Sequence, residues 1–571
     1  MRYKLLANLY ESLSSTTKRL EKIDILSKFL EDLSEKDSDL LYLLEGNIYP
    51  DYDERRIGIS NQLAIKAISK STGIDSKKVI SEWKKIGDLG EVAKKLASSK
   101  KQTNLLTSNI LKTEKVLENL RKLPELEGHG TVAKKLSLIT ELLSCADDIE
   151  SLYLTRTLIG DLRIGVQEST IKYAMLKAFY KNNKDYEENL QKAIDRSNDL
   201  AEVFIIARKK KIKELDKIKL QVGKPIKAML AQKAKDIPDA FRQLGTPLQV
   251  EYKYDGFRLL IHKTRDKVTL FTRSLENVTK QFPEVVEHVN TFIKGNSFIL
   301  DSEAVGYDKK TKRYTDFQAV SQRIRRKYNI ADLQKKLPVE VNIFDILYYN
   351  GKSHLDTPFK KRTELLRKII KDHPYKLIAS KKIITSDQKE IEKFYDKALK
   401  NNQEGVMLKN LDAPYKPGRR VGHMLKIKPE DNEMDLVITG AEWGKGKRSG
   451  WLSSFILSCK KGNEYLEIGK VGTGVAEKEN EDNKVTFQQL TDLLKPLIIS
   501  EKGKQVQVKP KVVVMITYQD IQKSPNYESG WALRFPRIFR LRDDKGVHEV
   551  ATLKEVEKDF LTQRSKNYKY G

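Results

Sequence analysis

A chain of 571 residues is too long for a single hydrophobic core and calls for about three or four domains. With 39% hydrophobic and 33% charged residues it fits neither a disordered nor a membrane-embedded protein, and its two cysteines, Cys145 and Cys459, exclude a disulfide framework and a thiolate zinc site. The balance of 107 Lys+Arg against 79 Asp+Glu leaves a charge of +28, which favours a polyanionic partner through counterion release, although abundant lysine can raise the charge without serving any function.

Residues 1–210 read as helices almost throughout. "LLANLYESLSSTTKRLEKIDILSKFLEDL", "SNQLAIKAISKST", "DSKKVISEWKKIGDLGEVAKKL" and "YEENLQKAIDRSNDLAEVFIIARK" return apolar residues at spacings of three and four. The amphipathic opening, with its acidic residues, lacks the uninterrupted apolar stretch of a secretory signal. "GDLGEVAKKL" and "GHGTVAKKL" are alike enough to suggest two related helical hairpins.

From about residue 211 to 428 the texture is mixed. "FILDSEAVGY", "VEVNIFDILYY" and "EGVMLKN" read as strands, and "TPFKKRTELLRKII" and "DQKEIEKFYDKALKNN" as helices, so an α+β domain is expected. From 429 to 571, "MDLVITGAEWG", "WLSSFILSCKKGNEYLEIGKVGTG" and "VVVMITYQDIQKS" read as strands, with helix limited mainly to "TFQQLTDLLKPLI". A small closed barrel of the OB type suits this segment, and an open sandwich is the alternative.

The middle segment carries the chemistry. In "EYKYDGFRLL" strand alternation puts Glu251, Lys253 and Asp255 on one face and Tyr252 and Tyr254 on the other. Asp-Gly is a hairpin signal. The same tetrapeptide could instead present a partly buried, nucleophilic amine on Lys253 to a phosphate, with Asp255 orienting the amine and Arg258 holding the phosphate. Arg273 follows a strand in "LFTRSLENVT", where its fork could hold a ribose or phosphate oxygen. In "FILDSEAVGYD", Asp301 and Glu303 share a strand face, either as an exposed edge or as an oxygen site for Mg²⁺ and ribose hydroxyls. The seven histidines are scattered, so any metal here is expected to be oxygen-ligated. Phe344 is a base-stacking ring or ordinary core. "QEGVMLKN" supplies Glu404 and Lys409, and "HMLKIKP" alternates Lys426 and Lys428 on one face, beside a polyphosphate or on a solvated edge.

Taken in order, "EYKYDGFR", "FTRS", "LDSEAVGYD", "FDILYYNG", "EGVMLKN", "MLKIKP" and the distal "ALRFPRIFRLRDDK" resemble the ATP-dependent DNA ligases, especially the replicative type of archaea and eukaryotes, within the covalent nucleotidyltransferases. "LIGDLRIGVQESTI" (158–171) and "QVGKPIKAMLAQ" (221–232) add to the likeness, and no Walker A sequence is present. The resemblance implies a helical DNA-binding domain at 1–210, an adenylation domain at 211–428 and an OB-fold domain at 429–571, which together encircle nicked duplex DNA.

It further implies ATP as cofactor with Mg²⁺, or alternatively Mn²⁺. Lys253 would be the nucleophile, Glu251 would read the adenine amino group and Phe344 would stack on the base. Arg258, Arg273 and Glu303 would surround ribose and phosphate, and Glu303 and Glu404 would be metal candidates. Arg420, Lys426 and Lys428 would serve the phosphates or the nick. Arg534, Arg537 and Lys545 of the last domain would approach for adenylation. A monomer in an intracellular setting is expected, cytoplasmic in an archaeon and nuclear in a eukaryote, with no membrane partner. A sliding clamp is a candidate partner through "QTNLL" at 102–106. An RNA ligase or an mRNA-capping guanylyltransferase is the nearest alternative enzyme, and a basic DNA-binding scaffold the alternative without catalysis.

Overall fold

The structure, a computed structural model, describes residues 1–98, 110–315, 317–326, 328–419, 421–444, 448, 450–479 and 485–566. The segment 102–106 and Arg420 therefore lie outside the described residues. Two compact units are present: residues 1–76 with 93–428, and residues 77–92 with 429–571.

The expected helices run from Tyr3–Ser14 to Ile212–Leu215, all but Ser76–Ile86 and the start of Leu89–Ser98 falling in the first unit. Local chemistry sets their ends. Asp147 and Glu150 form a reciprocal capping box that starts the helix Asp148–Leu158, and Asp199 accepts from the N–H groups of Ala201 and Glu202 to start Leu200–Arg208. Both "VAKKL" copies fall in helices, Leu89–Ser98 and Thr131–Cys145.

Two sheets follow. The strands that matter are β1 (Leu248–Lys253), β2 (Phe257–Thr264), β3 (Lys267–Phe271), β4 (Ser297–Gly306), β5 (Val339–Tyr349), β6 (Gly405–Asn410) and β7 (Met424–Ile427). One sheet runs Gln232–Lys233, β7, β6, β1, Lys382–Thr385; the other runs β3, β2, β4, β5, Lys352–Ser353, with Leu377–Ala379 beside β5. The first sheet packs Leu248, Val250, Tyr252, Val406, Leu408 and Leu425 against Ile391 and Ala398 of the helix Gln388–Lys400. The second buries Phe257, Leu259, Ile261, Leu300 and Ala304 against Val285 and Val289 of Pro283–Phe292. Each sheet thus spends one face on a hydrophobic core, which frees the charged alternate positions for other work.

Asp255-Gly256 is not a hairpin, because β1 and β2 belong to different sheets and the dipeptide carries the chain from one to the other. Gly256 is required by close approach: a Cβ there would lie 2.3 Å from the Ala304 carbonyl oxygen and 3.1 Å from Glu303 Cγ.

In the second unit, β8 (Asn432–Trp443) pairs with β9 (Leu452–Lys461), which pairs with β10 (Glu464–Val471). On its other side β8 pairs with β11 (Val513–Tyr518), which pairs with β12 (Arg537–Leu541). The Ile538 N–H then donates to the Thr473 carbonyl just beyond β10, 3.0 Å, and this link curls the strands into a closed ring. Leu436, Phe455, Leu457, Ile468, Val514 and Ile516 fill its core. Besides the expected helix Phe487–Leu494, a second helix, Leu553–Lys566, packs Val556 and Phe560 against this core. Its largely polar sequence, LKEVEKDFLTQRSK, hid that role.

Candidate active site

Antiparallel register determines which charged side chains share a face. Glu251 stands opposite Met407, which stands opposite Lys426, and Lys253 stands opposite Gly405. Lys428 is one residue past the end of β7, so it is not on the strand as the alternation with Lys426 suggested. It nevertheless continues the row, since a Cβ on Gly405 would come within 3.1 Å of Lys428 Cα and 2.2 Å of the Ile427 carbonyl oxygen. Gly405 also has φ +142°, a conformation that side chains disfavour. Lys426 and Lys428 are half-buried.

The Lys253 ammonium is ion-paired with Glu404 Oε2, and the Glu404 N–H donates to the Lys253 carbonyl at 2.9 Å. Glu404, rather than the Asp255 suggested by the sequence, is the carboxylate that holds the amine. Asp255 is buried, and its N–H donates to Gln403 Oε1. Glu251 is 3% exposed; its Oε1 accepts from Gln249 Nε2 at 2.5 Å and its Oε2 from Lys409 Nζ at 2.8 Å. Two acceptors remain in principle on a carboxylate so engaged.

Lys409 also lies 4.8 Å from the centre of the Phe344 ring and 4.7 Å from that of Phe359, which adds cation–π attraction to its ion pair. Phe344 is the half-buried residue in the otherwise buried run Val339–Leu347 of β5, at an irregularity in the pairing with β4. Its neighbour Asp345 is held by Arg362 through Nε–Oδ1 at 2.7 Å and Nη2–Oδ2 at 3.0 Å, and Arg362 Nη1 donates to the Ala413 carbonyl at 3.1 Å. Lys409 and Arg362 were not assigned roles from sequence; the signal for Lys409 was its even spacing from Met407 and Gly405 along the strand that faces Glu251.

The second sheet supplies the opposing groups. Arg258 stands opposite Glu303 in the β2–β4 ladder. Its Nε donates to Asp301 Oδ1 at 2.6 Å and its Nη2 to Asp301 Oδ2 at 2.9 Å. Asp301 is therefore engaged by Arg258, while the Glu303 carboxyl lies within the electrostatic reach of Lys253 and Glu404. Burial pushes the Glu303 carboxyl up to about 8; Lys253 opposes this, and the charges of Glu404 and Asp301 reinforce it. The β2–β3 ladder ends with Leu260 opposite Phe271; Arg258 lies two residues before Leu260 on β2, and Arg273 two residues beyond the end of β3. Arg273 is exposed in the turn that follows β3.

The remaining candidates sit in the second unit. Arg534 pairs with Asp520 at 3.3 Å, Arg537 is exposed at the start of β12, and Lys545 shares Asp435 Oδ2 with Arg542, both at 2.7 Å. Among the described residues no group of three or more His, Cys, Asp or Glu side chains could hold a metal ion by itself, and no helix is long and apolar enough to cross a membrane.

The first unit thus holds a nucleotidyltransferase-like pair of sheets with a lysine and carboxylates on them, and comparison with known proteins specifies the kind. Residues 2–176 match the family described as DNA ligase N terminus, 228–428 the ATP dependent DNA ligase domain, and 448–545 the ATP dependent DNA ligase C terminal region. A DNA ligase of Nanoarchaeum equitans is 43% identical over 566 residues, spanning 99% of both chains, and one of Thermococcus fumicolans is 38% identical over 568 residues, again 99% of both. A solved structure titled Pmar-Lig_PreS3 shares the fold with a TM-score of 0.57 over 94% of this chain and 99% of that one, at 18% identity. The chain belongs to the ATP-dependent DNA ligase family. Neither the RNA-ligase or capping alternative nor the scaffold reading is favoured by these matches.

Proposed function

We propose that this enzyme seals nicks in duplex DNA by way of a covalent lysyl-AMP on Lys253. The amine attacks the α-phosphorus of ATP; the P–N bond forms as the P–O bond to pyrophosphate breaks. AMP then passes to the 5′-phosphate of a nick, and the 3′-hydroxyl displaces AMP to close the strand. The observation that carries this reading is the Lys253–Glu404 ion pair on the first sheet, with the Glu303 carboxyl of the second sheet within its electrostatic reach. Glu404 Oε2 is the acceptor within reach of the amine's proton, which must leave before nitrogen can attack.

In this reading Glu251 accepts from the adenine amino group, Phe344 stacks on the ring, Arg258 and Arg273 take ribose or phosphate oxygens, and Lys426 and Lys428 attract the phosphates. Arg258 Nη1 is buried with no hydrogen-bond partner, and a bound oxygen would recover the cost of that orphaned donor, about 1–3 kcal/mol. Glu303 and Glu404 would hold a divalent cation. Two carboxylates completed by phosphate oxygens and water suit Mg²⁺, with Mn²⁺ a substitute, and the ion supplies charge neutralisation on the phosphate. Residues 1–210 form the DNA-binding block, 211–428 the adenylation block and 429–571 the OB block, in which Arg534, Arg537 and Lys545 assist adenylation.

The test separates the steps. Lys253→Ala should lose sealing of an ordinary nick with ATP and Mg²⁺, yet retain sealing of a nick that already carries 5′-AMP. Loss of both, or of neither, would count against a role confined to carrying AMP.

A further inference from the structure

Residues 411–423 join β6 to β7, and Tyr415 within them is 3% exposed, packed with Leu260, Phe271, Ile299 and Leu355. Its hydroxyl has three partners. It donates to Asp301 Oδ2 at 2.8 Å and accepts from Arg258 Nη2 at 3.2 Å and from the Met229 N–H at 3.1 Å. Asp301 and Tyr415 between them therefore engage Nε and Nη2 of Arg258, and Nη1 is the nitrogen left without a partner. Burial and the Asp301 charge push the Tyr415 phenol well above its ordinary range, so it remains a proton donor at working pH.

The backbone around Tyr415 is fixed as firmly as its hydroxyl. Its N–H donates to the Leu355 carbonyl at 2.7 Å, the Gly418 N–H to Ala228 at 3.0 Å and the Leu230 N–H to Arg419 at 2.9 Å. The strip 227–230 is in turn anchored to the helical residues: Lys227 pairs with Asp51 and Glu168, both at 2.6 Å, and Arg419 pairs with Asp195 at 3.0 Å. A side chain needed only to fill this apolar pocket would not require an oxygen, and phenylalanine would serve. The hydroxyl is instead the junction of a carboxylate, a guanidinium and a backbone N–H.

We propose that Tyr415 is a positioning residue for the nucleotide, holding Arg258 both directly and through Asp301 so that Nη1 meets an oxygen of bound ATP. The inference rests on the reading of this pocket as the ATP site. A fixed fork loses less entropy when it binds, so the hydroxyl contributes to affinity for ATP more than to the rate of bond making.

The experiment is self-adenylation of the full chain with α-labelled ATP and Mg²⁺, run across ATP concentrations alongside thermal unfolding. Tyr415→Phe should raise the KM for ATP about tenfold and leave the rate at saturation within about twofold of the parent. Asp301→Asn should raise KM to a similar degree, and the double variant should be no worse than either single one, because both changes release the same guanidinium. An unchanged KM in Tyr415→Phe overturns the proposal whatever happens to stability, as do losses that simply multiply in the double variant. A purely structural role would lower the melting temperature and the labelled fraction with KM unmoved. Should Tyr415→Phe fail to fold, Asp301→Asn alone decides, a parental KM overturning the proposal. Failure of the parent chain to take label at any ATP concentration would instead sink the ATP-site reading itself.

Discussion

Arg258 and Arg537 bring the same guanidinium to opposite circumstances. Arg258 is 9% exposed, with Asp301 and Tyr415 on two of its nitrogens, whereas Arg537 is exposed at the head of β12, near Phe535 and Phe539, themselves 69% and 56% exposed. A buried guanidinium in a ready-made fork has been desolvated during folding and is oriented before any ligand arrives. An exposed one keeps its hydration and attracts a polyanion over a distance set by salt. The buried charges of the first unit and the exposed arginines of the second should therefore respond differently to mutation, pH and ionic strength.

The largest effect is expected where a buried pair is broken. Arg362→Met leaves Asp345 buried without its cation and should destabilise the first unit by about 3–5 kcal/mol. All four tryptophans, Trp83, Trp443, Trp451 and Trp531, lie in the second unit, so the loss should appear in the far-ultraviolet circular dichroism transition while tryptophan emission holds its midpoint.

A smaller effect concerns pH. His262 is buried, its Nδ1 accepts from the Gly223 N–H at 2.8 Å, and burial with the nearby Arg258 charge pushes its pKa down to about 3 from 6.5. Between those values the unfolded chain binds the proton and the folded chain does not, so this contribution to stability is fully present above pH 6.5 and is lost as pH falls towards 3. At pH 4.5 the loss amounts to roughly 3 kcal/mol relative to neutral pH. His262→Asn, which keeps an acceptor for Gly223 and cannot titrate, should flatten the slope of unfolding midpoint against pH over this range.

The smallest effect on stability is expected in the barrel. Arg537→Ala should change the unfolding free energy by no more than about 0.5 kcal/mol, yet slow self-adenylation and make its rate less dependent on salt. A loss of several kcal/mol there would erase the contrast between the two regions.

Much of this was legible in the sequence because the two relevant periodicities are short-range. Alternation in "EYKYDGFR" separated Glu251 and Lys253 from Tyr252 and Tyr254, and the latter two do lie in a core. What could not be read were pairings across long stretches of chain. Glu404 reaches Lys253 from 151 residues away and Lys409 reaches Glu251 from 158, so only strand register, fixed by the whole sheet, brings them together. The hairpin alternative for Asp-Gly fails for the same reason: a two-residue signal for a tight turn cannot report that its flanking strands join different sheets. The partition of 77–92 with the C-terminal unit was also beyond helical periodicity, which identifies a helix and not what it packs against.

In the proposed mechanism one amine among several lysines carries AMP. After reaction with ATP and Mg²⁺, denaturation and proteolysis, mass spectrometry should locate the adenylate on Lys253 in "EYKYDGFR", with Lys409, Lys426 and Lys428 unmodified. An adenylate on any of those three, or no adduct at Lys253 while the enzyme still seals nicks with ATP, would rule out Lys253 as the carrier.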